Sequence, residues 1–317
     1  MTSRSWFPYL ILIFLALTWG SSFILIKRGL ETFTSNEVGA LRVVITWLFL
    51  LPVALTRFKG FMPKDWLFFG IVGIVGSLAP SFLFAAAEVG IDSSLAGILN
   101  SLTPLFTLIL GLFFFRLKPK WFNVAGVILG LAGAAGLVSV SGSGNFIFNL
   151  GYALLVVIAA ILYALNVNVI KTYLQKINPV TITSMAFFTI GPPTAIYLFG
   201  FTPFLKNLNE NPTALSGLGY ISILAIVGTG IALMLFNRVI QMTSAIFASS
   251  VTYFIPVIAL LWGFADGETF RAGFIVYVLL VIIGVLLVNT TSTGILRRFF
   301  NDKGQTINPE RSGIPKL

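Results

Sequence analysis

Residues 74–111 read IVGSLAPSFLFAAAEVGIDSSLAGILNSLTPLFTLILG, and residues 226–263 read IVGTGIALMLFNRVIQMTSAIFASSVTYFIPVIALLWG. They align without a gap at an offset of 152 and share 9 identities in 38 positions. Among the shared residues are Gly76, Phe84, Ala96, Pro104 and Gly111, which recur as Gly228, Phe236, Ala248, Pro256 and Gly263. A second match lies upstream at an offset of 144, where Ala16, Trp19, Ile26 and Lys27 face Ala160, Tyr163, Ile170 and Lys171. The chain therefore reads as a duplicated five-helix unit. An odd number of membrane crossings per unit turns the second copy upside down. Such inverted repeats place a solute site near the midplane, where the halves meet.

Composition sets the class. The chain of 317 residues is 57% hydrophobic and 9% charged, with a mean hydropathy of +0.98. A soluble domain has about 45–50% apolar and about 25% charged residues. The expected fold is an all-α, multi-pass membrane protein with ten transmembrane helices as two inverted repeats. The spans expected are 8–29, 36–56, 66–88, 92–115, 121–140, 149–170, 178–200, 215–240, 244–264 and 272–290. Each reaches across about 30 Å of hydrocarbon at about 1.5 Å per residue. The first repeat is 8–140, the second 149–290, and 291–317 forms a basic cytoplasmic tail. The Ser141–Gly144 turn joins the halves. The first 23 residues could mimic a signal peptide, but no small-x-small cleavage site follows, so they read as the first span.

Cysteine and histidine are absent. This excludes disulfides, thiol nucleophiles, zinc sites of the usual kind and histidine relays, and no metal or cofactor is expected. The net charge of +10 is a topology signal rather than a nucleic-acid footprint. One membrane side collects 15 Lys and Arg, the other 4. By the positive-inside rule both termini face the cytoplasm.

The residues also carry a resemblance. Leu17-Thr18-Trp19-Gly20-Ser21-Ser22-Phe23, followed by Ala40-Leu41-Arg42, resembles the first two helices of the EamA-type drug/metabolite transporters. So does Ala96 to Pro104 to Gly111, repeated as Ala248 to Pro256 to Gly263, and Gly267-Glu268 resembles the Gly-Glu that follows the ninth helix. The chain departs from the pattern after the fourth helix, where Phe115-Arg116 stands in place of Gly-Glu. The resemblance implies a ten-helix carrier of the bacterial inner membrane, often an exporter of amino acids or other small metabolites.

Polar residues in lipid tend to face a cavity or another helix. Helix four offers Asn100, Ser101 and Thr103 before Pro104; helix nine offers Ser249, Ser250, Thr252 and Tyr253 before Pro256. A proline leaves one carbonyl without its helical donor, and matched interruptions in two halves point to a substrate site. The alternative is that the prolines only bend helices and the hydroxyls bond back to their own backbone. Helix three adds Pro80, Ser81 and Phe84. Trp19, with Ser22 near it, and Tyr163 either floor a cavity, where a ring can stack on an apolar or cationic solute, or pack the core. Asn166 and Asn168 are two apart, so at most one lines a path.

Two charged residues are candidates for coupling or gating. Glu88 and Asp92 flank the outer turn of helices three and four. Glu88 is either a solvated corner residue or a partner for a nearby Lys or Arg, or it takes up a proton that drives exchange. Arg42 lies about 9 Å inside helix two by helical rise. It either snorkels outward or pairs with Glu37 or Glu88. The resemblance, in which Arg usually stands here, favours an ion pair over solute contact. In helix five, Gly126 and Gly130 form a small-xxx-small face that serves either packing within one chain or a homodimer.

The function expected is secondary transport of a small molecule by alternating access, in a monomer or homodimer embedded in the bilayer. No Walker sequence suggests ATP. Few fixed charges near mid-depth argue for neutral, zwitterionic or amphipathic solutes. The rival is an intramembrane enzyme or lipid-handling protein, for which the positioned acids and nucleophiles are few.

Overall fold

The computed structural model describes residues 6–91, 93–140, 150–258 and 274–288. The Ser-Gly joint, Asp92, Gly263, Gly267-Glu268 and the basic tail lie outside the described residues. No strand occurs among the described residues, and described helix falls on each of the ten apolar stretches. Six helices, Phe7–Leu30, Ser35–Arg57, Pro63–Ala87, Leu150–Tyr173, Pro179–Phe201 and Ala214–Met242, are long and apolar enough to cross a membrane; Thr103–Phe114, Trp121–Gly136, Ala245–Ile258 and Ile275–Val288 are shorter apolar helices.

Several helices are interrupted, and the interruptions of the third and fourth spans recur in the eighth and ninth. The first span is α1 (Phe7–Gly20) and α2 (Ser22–Leu30), parted at Ser21. After α3 (Ser35–Arg57), the third runs as α4 (Pro63–Gly73), a π turn at Ile74–Leu78 and α5 (Ala79–Ala87). The fourth is α6 (Ser93–Asn100) and α7 (Thr103–Phe114), parted before Pro104. There follow α8 (Trp121–Val140), α9 (Leu150–Tyr173), α10 (Pro179–Phe201) and a short α11 (Phe204–Glu210). The eighth span repeats the third: α12 (Ala214–Ala225), a π turn at Ile226–Ile231 and α13 (Ala232–Met242). The ninth opens with α14 (Ala245–Ser249) and a 3-10 turn at Ser250–Phe254; α15 is Phe274–Val288.

Local chemistry sets the helix ends. The Thr34 hydroxyl accepts from Glu37 N while the Glu37 carboxylate accepts from Thr34 N at 2.8 Å, a capping box that starts α3. The same carboxylate accepts from Asn207 Nδ2 at 3.0 Å, and Phe204 is buried against Phe33. These contacts hold α11 in the connection between α10 and α12. Lys171 Nζ donates to the carbonyls of Ile240, Gln241 and Thr243, a cation seated on the last turn of α13. Its counterpart Lys27 is exposed.

Contacts between elements come in matched pairs. α3 packs on α10, and α8 on α15; α5 and α7 pack on α9, while α13 and the 3-10 turn pack on α1. The glycine face of α8 is used within the chain. A Cβ on Gly126 would stand 2.7 Å from Gly284 O, and one on Gly133 2.8 Å from Val281 N. Small residues let the two backbones approach this closely, so these glycines pack against α15 of the same chain. Large side chains such as Phe113 (78% exposed) and Leu215 (81%) point away from the protein.

Candidate functional site

The interrupted helices converge on a cavity of about 70 Å³. Its walls come from both halves, largely as counterparts: Trp19 and Tyr163, Ser22 and Asn166, Phe84 and Phe236, Asn100 and Thr252. The two π turns contribute Gly76 and Gly228. Each glycine gives room for a side chain of the other half's first helix. A Cβ on Gly76 would stand 2.6 Å from the Asn166 amide, and one on Gly228 3.3 Å from Ser22 Oγ.

Trp19 is held by its indole Nε1, which donates to Gly228 O at 2.9 Å, and by an edge contact with Phe236 at 5.0 Å. Phe84 stacks on Tyr163 at 6.0 Å and meets Phe23 edge-on at 6.0 Å. The walls are therefore largely aromatic, with ring packed on ring.

The hydroxyls are acceptors rather than donors towards the cavity. Ser22 Oγ donates to Thr18 O, Thr103 Oγ1 to Asn100 O, Ser249 Oγ to Ile246 O and Thr252 Oγ1 to Ser249 O. The carbonyls that the prolines set free are occupied too. Pro104 cannot donate to Asn100 O, and Thr103 Oγ1 does so at 2.7 Å. Pro256 cannot donate to Thr252 O, and Ser101 Oγ from the first half does so at 3.0 Å. The prolines thus shape the site without offering bare backbone to a solute. Asn166 Oδ1 is buried without a partner, and Asn168 instead donates to Thr107 O and Ala164 O.

Arg42 lines the cavity and is 9% exposed. Its Nε donates to Thr229 Oγ1 at 2.8 Å, and Thr229 Oγ1 donates in turn to Leu224 O at 3.0 Å. Neither Glu37 nor Glu88 is its ion-pair partner: no described carboxylate oxygen comes within 4.0 Å of its nitrogens. Arg42 does not snorkel either, because the second half's π turn holds it inside.

Other candidates lie elsewhere. Ser81 is buried outside the cavity wall. Tyr253 turns its ring against Gly130, and its hydroxyl donates to Val127 O at 2.9 Å. Glu88 caps α5, half-buried; Ser93 Oγ donates to one carboxylate oxygen at 3.3 Å and the other is buried without a partner. Among the described residues no group of three acidic side chains could hold a metal ion. Thr229, Leu233 and Phe236 also line the cavity. Sequence reasoning missed them, although Thr229 and Phe236 stand 152 residues after Ser77 and Phe84. Carrying the candidates Ser81 and Phe84 across the repeat would have found Leu233 and Phe236, but not Thr229, because Ser77 was not itself a candidate.

The EamA-like transporter family matches residues 6–139 and again 150–290. The chain belongs to this family. An uncharacterized transporter of Archaeoglobus fulgidus is 29% identical over 254 residues, 79% of this chain and 88% of that protein. The uncharacterized inner membrane transporter YedA of Escherichia coli K12 is 26% identical over 259 residues, 80% of this chain and 81% of YedA. The uncharacterized transporter YvbV of Bacillus subtilis is 25% identical over 289 residues, 89% and 92% of the two chains. A solved crystal structure shares the fold at a TM-score of 0.69, with 20% identity over 94% of this chain and 99% of that one. This EamA-family chain is a multi-pass membrane transporter.

Proposed function

We propose that this chain is an inner-membrane secondary transporter that exports amino acids or similar small metabolites. It works by alternating access between two inverted five-helix halves, 8–140 and 149–290, with both termini in the cytoplasm. The observation that supports this best is the cavity wall, where counterpart residues of the two halves face one another around broken helices. A pseudo-twofold site can open to either side by the same motion of either half. YedA's name places that relative in an inner membrane, and the distribution of 15 against 4 basic residues supports the orientation. Solutes are zwitterionic or amphipathic: the wall is aromatic, with one guanidinium and several acceptors.

The test is uptake of radiolabelled amino acids into proteoliposomes preloaded with unlabelled solute, with and without a proton gradient. Saturable uptake accelerated by preloading is expected. Uptake that never saturates would indicate a channel, and absence of uptake for every amino acid would sink the amino-acid reading. If Glu88 carries the coupling proton, Glu88→Gln keeps counterflow and loses acceleration by the gradient.

A further inference from the structure

The least expected group in the cavity is Arg42. A guanidinium taken out of water is costly unless it is paired, yet no described carboxylate oxygen lies within 4.0 Å of it. A purely structural arginine would point its fork into a carbonyl cluster or an acid. Here Nε donates to Thr229 Oγ1 at 2.8 Å, that hydroxyl's own proton is tied to Leu224 O, and the other polar neighbour of the guanidinium is the neutral Tyr163 hydroxyl. The plane of the guanidinium is thereby set before any solute arrives. Its charge reaches the Tyr163 hydroxyl and Glu88, neither of which forms an ion pair with it.

We infer that Arg42 is the solute-binding residue that holds a carboxylate, with Thr229 as its positioning residue, and that this transporter therefore selects carboxylate-bearing solutes. The planar fork suits a carboxylate, which it can take through two parallel hydrogen bonds. Asn166 lines the same wall, and its Oδ1 is buried without a partner. The aromatic rings of Trp19, Phe84 and Phe236 take the apolar remainder. The inference rests on the carrier reading of this cavity and narrows it from small metabolites to one chemical group.

The experiment measures binding separately from transport. The purified full-length protein is melted in detergent with phenylalanine, phenylalaninamide, phenethylamine, 3-phenylpropionate, benzoate, acetate and the other proteinogenic amino acids. At least one carboxylate is expected to raise the melting temperature, with its amide and amine analogues at least tenfold weaker. Arg42→Gln should lose that discrimination, Arg42→Lys should keep part of it as a point charge, and Thr229→Val should weaken carboxylate binding while leaving the protein folded. The wild-type comparison of acid, amide and amine needs no variant, so a misfolded Arg42→Gln leaves the test intact. Equal binding of amide and acid, no stabilisation by any carboxylate, or unchanged selectivity in a folded Arg42→Gln would each overturn the inference. Counterflow of the same solutes then separates the two readings. Arg42-dependent binding without counterflow sinks the carrier and spares the anion site; counterflow of amines as fast as acids does the reverse.

Discussion

Single residues here are held by partners far away in the chain. Ser101 reaches across 151 residues to the carbonyl that Pro256 exposes, and Trp19 reaches 209 residues to Gly228. One residue instead carries a local cost. Arg116 has φ of 54°, the left-handed region that favours glycine, at the turn where Phe115 N and Leu117 N both donate to Gly111 O. Here a side chain other than glycine's bears a strain of roughly 1 kcal/mol. Arg116→Gly is expected to stabilise the protein by up to about 1 kcal/mol, read as a higher melting temperature in detergent with transport unchanged. A lower melting temperature would mean that the Arg116 side chain makes a contact worth more than the strain.

At the level of elements, the two π turns teach more than the prolines. The first precedes Pro80, while the second has Ala232 at the counterpart position and still forms. Proline is therefore not its cause. Room for Asn166 and Ser22 beside Gly76 and Gly228 is common to both. Pro80→Ala should keep transport within about twofold of the parent, because in this first turn of α5 little hydrogen bonding depends on the ring. A loss beyond tenfold in the same vesicles would restore the proline as the hinge. The α8 and α15 pair makes the opposite forecast. Gly126→Leu puts a side chain against the backbone of Gly284 and Val288, where nothing can yield. A loss of about 1–3 kcal/mol is expected from such overpacking, with the molar mass in detergent unaltered. A changed mass at constant melting temperature would assign the glycine face to an oligomer contact.

On the proposed alternating-access mechanism, the whole molecule changes shape to carry a solute. A cavity of about 70 Å³ holds a few waters and is well below the roughly 300–1,000 Å³ of a typical ligand site. The carrier reading thus requires a more open arrangement than the one described. The sequence contains no cysteine, so Asn166→Cys and Ser22→Cys would be the sole thiols. Labelling by a membrane-impermeant maleimide from one side should proceed slowly, and bound solute should slow it further. Complete labelling from both sides at once would describe an open pore instead of a carrier.

Much of this was legible in one dimension, and the reasons differ by kind. Hydropathy, span length and the offset of 152 are properties of the chain taken a window at a time. They suffice to place the apolar helices and to single out Pro104 and Pro256, and of the candidates they offered, Trp19, Ser22, Phe84, Asn100, Thr103, Tyr163, Asn166, Ser249 and Thr252 line one cavity. The departures are matters of direction and partner. Ser81 and Tyr253 sit on the right helices and face elsewhere, because a rotation about the helix axis that hydropathy cannot see decides which side chain meets the cavity. Asn166 faces it while Asn168 turns to Thr107 O, for the same reason. Arg42 finds a hydroxyl 187 residues away rather than the nearby Glu37, whose carboxylate is already held by its own helix cap and by Asn207. The sequence by itself determined the class, the apolar elements and the chemistry available at mid-depth. Only the packing of one half against the other decided which of those groups meet, because each such pairing joins residues that no local window contains.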